Sequence, residues 1–68
     1  MTHTRATIYI RRDGRFAARC DGTHDTGHYI TEDSGRFTIY EYEGGHVLRR
    51  NVTREEAEAF IAHDWQHP

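Results

Sequence analysis

The sequence predicts an α+β domain in which an antiparallel β-sheet of four to five strands, a meander of hairpins, packs one face against a C-terminal α-helix. Short runs of alternating apolar and polar residues are separated by turn signals at Asp13-Gly14, 32–35 and Gly44-Gly45. The polar segment 21–27 is predicted as a loop. Apolar residues near the C-terminus instead recur at helical spacing. The length allows one domain, residues 1–68.

The helix is indicated most clearly at its N-terminus. Thr53 and Glu56 match a capping box, in which each side chain accepts a hydrogen bond from the other residue's backbone N–H. Val52 precedes the cap and can pack against Ala57 as a hydrophobic staple. We therefore expect a helix over residues 54–64 with one apolar stripe toward the sheet. The stripe consists of Ala57, Phe60, Ile61 and Trp65.

The length of the first turn decides which side chains share a face of the sheet. A two-residue loop would put Ile10 and Phe16 on opposite faces. A three-residue loop, residues 12–14, pairs these two residues, and pairs Ile8 with Ala18, so that all the apolar residues agree. This loop type needs a residue in the left-handed conformation, which the glycine of the segment supplies. The three-residue loop is therefore preferred.

The other two hairpins follow from their turn signals in the same way. A four-residue loop at 32–35 pairs Ile30 with Phe37. A two-residue glycine loop in the last hairpin pairs Tyr40 with Arg49. A slip of one residue would invert the faces of either hairpin, because side chains alternate along a strand.

These registers divide the side chains between two faces. The aliphatic residues and phenylalanines share the face on which the helix should pack, namely Ile8, Ile10, Phe16, Ala18, Ile30, Phe37, Ile39 and Leu48. The opposite face collects every tyrosine of the chain, with Thr7, Tyr9, Arg19, Tyr29, Arg36, Thr38, Tyr40, Tyr42, Val47 and Arg49. The aliphatic residues and phenylalanines decide the registers, so the grouping of the tyrosines is partly independent support for them.

The tyrosine-bearing face is the candidate functional surface. Tyrosine and arginine are enriched at binding hot spots, and both also stack on nucleobases. Tyrosine has high β-propensity as well, so a half-exposed sheet surface can carry it without a binding role. An open aromatic face more often indicates a partner or a second copy of the chain. The predicted partner-binding residues are Tyr9, Arg19, Tyr29, Arg36, Tyr40, Tyr42 and Arg49.

The spacing of cysteine and histidine raises a metal hypothesis. Cys20, His24 and His28 follow a C-x3-H-x3-H pattern, and zinc accepts both residue types. This is not the spacing of a zinc finger, and surface histidines beside a small core thiol explain it better. Asp25-Thr26-Gly27 copies the tripeptide of aspartic proteases, but that chemistry needs two aspartates in a buried dyad. We expect no metal, no cofactor and no enzymatic activity.

Composition narrows the possible functional classes of the protein further. Nine positive and eleven negative residues nearly cancel, and all nine positive residues are arginine. This balance argues against gross electrostatic binding to nucleic acid. No apolar run approaches the roughly 20 residues of a membrane span. A single cysteine without an apolar leader fits a reducing cytoplasm.

Two resemblances suggest functions. The stretch from Arg36-Phe37-Thr38-Ile39-Tyr40 through Asn51-Val52-Thr53-Arg54-Glu55-Glu56-Ala57-Glu58-Ala59-Phe60 resembles the strand and T-x-E-E-A helix that end three-stranded DNA-binding domains such as phage-integrase arm domains. It implies nucleic-acid binding. A compact, acidic, single-domain chain is also similar in kind to the small phage-encoded inhibitors called anti-CRISPRs. That likeness implies binding to a CRISPR effector complex and a block of DNA recognition or nuclease recruitment.

The leading hypothesis is a non-enzymatic protein-binding module whose tyrosine face contacts another protein or a protein–nucleic-acid complex. Binding of nucleic acid through the same face is the alternative, and pairing with a second copy of the chain stays open. A small core favours either kind of association, because a chain of this size buries only about 60% of the surface that it exposes when unfolded.

Overall fold

A computed structural model describes residues 5–20, 24–41 and 45–66 of the protein. The strands are β1 (Ala6–Ile10), β2 (Phe16–Cys20), β3 (His24–Asp25), β4 (Tyr29–Asp33), β5 (Arg36–Tyr40) and β6 (Val47–Val52), and the helix is α1 (Arg54–Gln66). They form one antiparallel sheet in the order β1-β2-β4-β5-β6, with β3 also paired to β2. The α+β class is confirmed. The sheet has six strands instead of four to five, because the polar segment predicted as a loop contains β3.

The first hairpin has the predicted register. Ile10 lies opposite Phe16, and Ile8 lies opposite Ala18. Gly14 has a φ of +86°, which is the left-handed conformation that the three-residue loop requires. The choice between the two loop lengths was therefore decided correctly by the agreement of the apolar residues.

The second hairpin differs from the prediction by two residues. Ile30 lies opposite Ile39 and not Phe37, so the loop contains only Ser34 and Gly35. Both residues have positive φ, 53° and 81°, as in the type I′ turns that suit twisted hairpins. The prediction was wrong because serine rarely adopts this conformation. The face assignment survives, since a shift of two residues keeps every side chain on its own side.

The last hairpin contains irregularities that the prediction missed. Tyr40 lies opposite Val47, and Arg49 lies opposite Ile39 and not Tyr40. The register shifts between these pairs mark a β-bulge, which changes the direction of the side chains that follow it. The proposed Gly44-Gly45 turn lies partly outside the described residues.

The helix packs on the face that carries the aliphatic residues. The buried cluster consists of Ala6, Ile8, Ala18, Cys20, Ile30, Phe37, Ile39, Ala57 and Ile61, with Phe16, Leu48, Val52, Phe60 and Ala62 packed against it. Two residues that were expected to pack between the helix and the sheet are not buried there. Ile10 is 63% exposed because it lies at the hairpin end of β1, whereas the helix reaches β1 at Ile8. Trp65 is 40% exposed near the end of α1.

The capping box forms as predicted, and α1 continues to Gln66, beyond the predicted end at residue 64. The backbone N–H of Thr53 donates to Glu56 Oε1 at 2.9 Å, and Glu56 N–H donates to Thr53 Oγ1 at 3.2 Å. The hydrogen bond from the Thr53 backbone N–H lowers the pKa of Glu56, and the Thr53 hydroxyl and the nearby Arg36 guanidinium add to the effect. Within 5–20, 24–41 and 45–66, no helix combines the length and apolarity of a membrane span.

Both edges of the sheet are protected. At the β1 edge, Ile8 N–H donates to Glu58 Oε2 at 2.9 Å, and the Ile8 carbonyl accepts from the Arg54 guanidinium. Arg54 and Glu58 also form an ion pair at 3.3 Å. At the opposite edge, register shifts interrupt the regular pairing of β6 with β5.

Candidate functional site

A row of mainly aromatic residues crosses the face that the helix leaves open. Tyr9 lies opposite Ala17 in the first hairpin, and Tyr29 lies opposite Tyr40 in the second. β2 and β4 pair through Phe16 and Ile30, so the adjacent residues Ala17 and Tyr29 are neighbours on the open face. Tyr40 in turn lies opposite Val47. We call Tyr9, Ala17, Tyr29, Tyr40 and Val47 the tyrosine row. At about 4.8 Å between neighbouring strands, the row is roughly 19 Å long.

The tyrosines of the row are packed and not simply solvated. Tyr9, Tyr29 and Tyr40 are each half-buried, and Ala17 between them is only 3% exposed. The rings of Tyr29 and Tyr40 meet edge to face, with centroids 5.3 Å apart and an interplanar angle of 67°. Such aromatic pairs contribute about 0.5–1.5 kcal/mol beyond the area that they bury. The centre of the face is therefore ordered before any partner binds.

Tyr9 is held by a small polar network. Its hydroxyl donates to Asp25 Oδ2 at 2.8 Å, and the Arg19 guanidinium lies 3.9 Å from the ring centroid. Arg11 lies 3.8 Å from the same carboxylate oxygen. Asp25 Oδ1 accepts a hydrogen bond from Gly27 N–H at 2.8 Å. The aspartate of the Asp-Thr-Gly tripeptide thus orients Tyr9 and closes a local turn.

The structure brings together only part of the predicted site. Arg49 points to the helix side, where its guanidinium lies 4.3 Å from the Phe60 centroid, so its assignment to the open face is wrong. The bulge in β6 is the reason. Arg36 lies at the far end of β5 and donates to the Asn51 carbonyl at 3.3 Å. Tyr42 lies outside the described residues. The predicted residues that do cluster are Tyr9, Arg19, Tyr29 and Tyr40.

The sequence prediction missed a group of arginines at the tip of the first hairpin. An open concavity of about 860 Å³ lies between this tip and the tyrosine row, lined among others by Arg11, Asp13, Arg15, Asp25 and Tyr29. The signal was present in the sequence, because residues 5–20 hold five of the nine arginines and a single acidic residue. Alternation along the strands did not reveal it, since these residues belong to a turn.

His28 is used structurally. Its side chain is only 8% exposed, and its Nε2 lies 2.7 Å from Asp64 Oδ2 on α1. Nδ1 lies 2.8 Å from Thr26 Oγ1. Of the other two residues in the predicted metal site, Cys20 is fully buried and His24 is exposed. Among the residues that the structure describes, no three or more His, Cys, Asp or Glu side chains are placed to hold a metal ion.

The hydrogen-bonded series of Thr26 hydroxyl, His28 imidazole and Asp64 carboxylate has the same order as a nucleophilic triad. A nucleophile needs a substrate cavity and an oxyanion site at its hydroxyl. His28 lines the concavity, and Thr26 is not among its lining residues. The contacts of His28 with Thr26 and Asp64 form a tether between α1 and the segment before β4.

Comparison of the chain with protein-family models, with curated proteins and with solved structures gives no match. On the open face, ordered tyrosine rings lie beside arginine side chains and a concavity of mixed charge.

Proposed function

We propose that this protein is a non-enzymatic binding module that docks its tyrosine row on another protein or a protein–nucleic-acid complex. The observation that carries this proposal is the ordered, half-buried set of tyrosine rings on the face opposite the helix. Rigid aromatic side chains lose little conformational entropy on binding, which makes them effective anchors. Protection of both sheet edges leaves this face as the favoured contact surface.

The geometry favours a protein over a nucleic acid as the partner. A single-stranded nucleic acid needs free aromatic faces on which its bases can stack. Here Arg19 covers one face of the Tyr9 ring, and the Tyr29 and Tyr40 rings meet edge to face. Carboxylates of Asp13 and Asp25 line the adjoining concavity, where they would repel a phosphate backbone.

The resemblance to anti-CRISPR inhibitors supplies a candidate partner, a cytoplasmic CRISPR effector complex. An inhibitor of this kind would cover a surface that the complex needs for DNA recognition or nuclease recruitment. A plasmid-interference assay tests this part of the proposal. Expression of the wild-type protein should restore transformation of a targeted plasmid in a host with an active CRISPR system, and unchanged interference across system types would contradict it.

The docking surface is tested by substitution on the open face. Tyr29→Ala/Tyr40→Ala should weaken partner binding by at least about tenfold, because buried aromatic anchors each contribute more than ~1 kcal/mol. Thr31→Glu adds a charge to the same face without removing a ring and should weaken binding too. Glu55→Ala, at an exposed position on α1 away from the open face, is the control.

The measurement is quantitative affinity capture from host extract, followed by titration of the captured protein, with circular dichroism confirming that each variant folds. Binding by both open-face variants as tight as that of Glu55→Ala would overturn the proposal. Salt dependence distinguishes the alternative partner, a nucleic acid, because phosphate contacts lower affinity by about one decade per decade of salt for each contact.

A further inference from the structure

The proposed binding function leaves open what the partner presents to this protein. We infer that the partner offers an acidic protein segment, and that the arginine hairpin binds its carboxylates beside the tyrosine row. The arginine hairpin is defined as Arg11, Arg12, Arg15 and Arg19. This inference rests on the proposed function and specifies the chemistry of its partner.

Two of the four arginines are oriented in advance. Arg19 stacks on the Tyr9 ring at 3.9 Å, which leaves the edges of its guanidinium free to donate hydrogen bonds. Arg11 lies 3.8 Å from Asp25, a contact that holds it near the same ring. Planar guanidinium groups in fixed positions suit carboxylates, which they bind through two parallel hydrogen bonds.

The other two arginines lack compensating charge. Arg12 and Arg15 are exposed at the tip, and the side chain of neither forms a hydrogen bond or an ion pair with another residue in the described parts of the chain. Residues 5–20 hold five arginines against one aspartate, although the whole chain has a net charge of −2. The positive charge is thus concentrated at one end of the open face.

The pattern of charge favours carboxylates over phosphates. Asp13 and Asp25 lie among the arginines and line the same small concavity beside Tyr9. A protein segment can set its carboxylates opposite the arginines and uncharged groups opposite the aspartates. A nucleic-acid strand cannot, because it carries a charge at every nucleotide. The exposed side chain of Ile10 lies beside this concavity and offers an apolar contact that a protein partner can use.

The test uses a defined probe and does not require the natural partner. The full chain is titrated with a short fluorescent peptide of alternating glutamate and phenylalanine. The matched probes are the same peptide with glutamine for glutamate, and a thymidine oligonucleotide of equal length. The variants are Arg12→Glu/Arg15→Glu and, as control, Arg50→Glu, which changes an exposed arginine on β6.

We expect the acidic peptide to bind at least about tenfold more tightly than the glutamine peptide, and the double charge reversal to remove that advantage. Arg50→Glu should change binding less than about twofold. Equal binding of the two peptides would overturn the inference, as would tighter binding of the oligonucleotide that the same double variant abolishes.

The failure of this inference can be told apart from failure of the proposed function. If Tyr29→Ala/Tyr40→Ala abolishes partner capture while Arg12→Glu/Arg15→Glu leaves it unchanged, the binding face stands and the acidic segment is excluded. If the tyrosine variant captures its partner as well as the wild-type chain does, the proposed function itself is excluded.

Discussion

Single side chains on both faces of this sheet are oriented by contacts between residues far apart in the sequence. Asp25 accepts the hydroxyl of Tyr9 across sixteen positions, and Asp64 meets His28 across thirty-six. Acidic residues of this kind appear in a sequence as solvated loop or helix positions. Their partners become visible only when β3 and α1 are placed beside the strands that they contact.

His28 is expected to contribute strongly to stability. His28→Ala removes a nearly buried ring with two hydrogen bonds and its contact with Phe60, so the free energy of unfolding should fall by about 1–3 kcal/mol. Urea denaturation followed by tryptophan fluorescence measures the change. His24→Ala, at an exposed position, is the control and should change stability by less than about 0.5 kcal/mol. Equal effects of the two substitutions would contradict the tether.

The tautomer of His28 offers a second check on the same contact. A carboxylate can only accept a hydrogen bond, so Asp64 requires the proton on Nε2 and leaves Nδ1 of the neutral ring to accept from the Thr26 hydroxyl. Nitrogen NMR of the ring should therefore show the Nε2–H form in the neutral imidazole. Finding the Nδ1–H form would mean that the Asp64 contact does not persist in solution.

At the level of elements, turns and bulges decide what each strand presents. The helix and the first hairpin follow local rules, because a capping box and a glycine loop act within a few residues. The second hairpin depends on Ser34 and Gly35, both in the left-handed conformation. In the last strand, Asn51 also has a positive φ, 57°, at one of the register shifts. These conformations depend on the paired strands and not on residue type alone.

Ser34→Asn should stabilise the second hairpin. Asparagine before glycine is the preferred pair in a type I′ turn, whereas serine at a φ of 53° is strained. We expect a gain of about 0.5–1 kcal/mol in the free energy of unfolding, measured by thermal or urea denaturation. Ser34→Ala is the matched substitution, and it should lower stability because alanine disfavours this conformation. If Ser34→Ala raised the free energy of unfolding, the turn would have to adopt another conformation.

The whole molecule is a small sheet that protects both of its edges. Arg54 and Glu58 bind the backbone of Ile8, so the helix that covers one face also covers the β1 edge. The register shifts in β6 interrupt the other edge. Both devices limit sheet extension from chain to chain, and they leave the tyrosine row as the ordered surface that is not covered.

Removal of the edge cover is expected to promote association. Arg54→Ala/Glu58→Ala leaves the Ile8 N–H and carbonyl without their helix partners, which should destabilise the fold by about 1–3 kcal/mol and expose the β1 edge. Light scattering after size-exclusion chromatography should detect oligomers that increase with concentration. Glu55→Ala, an exposed position in the same helical turn, should remain like the wild type. A double variant that stays equally dispersed would contradict the proposed role of the edge cover.

Much of the candidate site could be predicted from the residue pattern. The predictions that failed did so for identifiable physical reasons. The assignment of Tyr9, Tyr29 and Tyr40 to the open face is confirmed, since strand alternation survives even the two-residue error in the second hairpin. Arg49 was assigned to the wrong face, because a bulge is a property of two paired strands. Arg11, Arg12 and Arg15 were missed because strand alternation does not extend through a turn.

The residue order by itself therefore determined the α+β class, the capped helix and the separation of aliphatic from tyrosine faces. Each of these follows from short-range periodicity and local hydrogen bonding. Only the tertiary structure decided the sixth strand, the direction of Arg49, the Asp25 network around Tyr9 and the cover of the β1 edge. These features arise where segments distant in the chain meet, and their free energy depends on packing geometry that no local pattern contains.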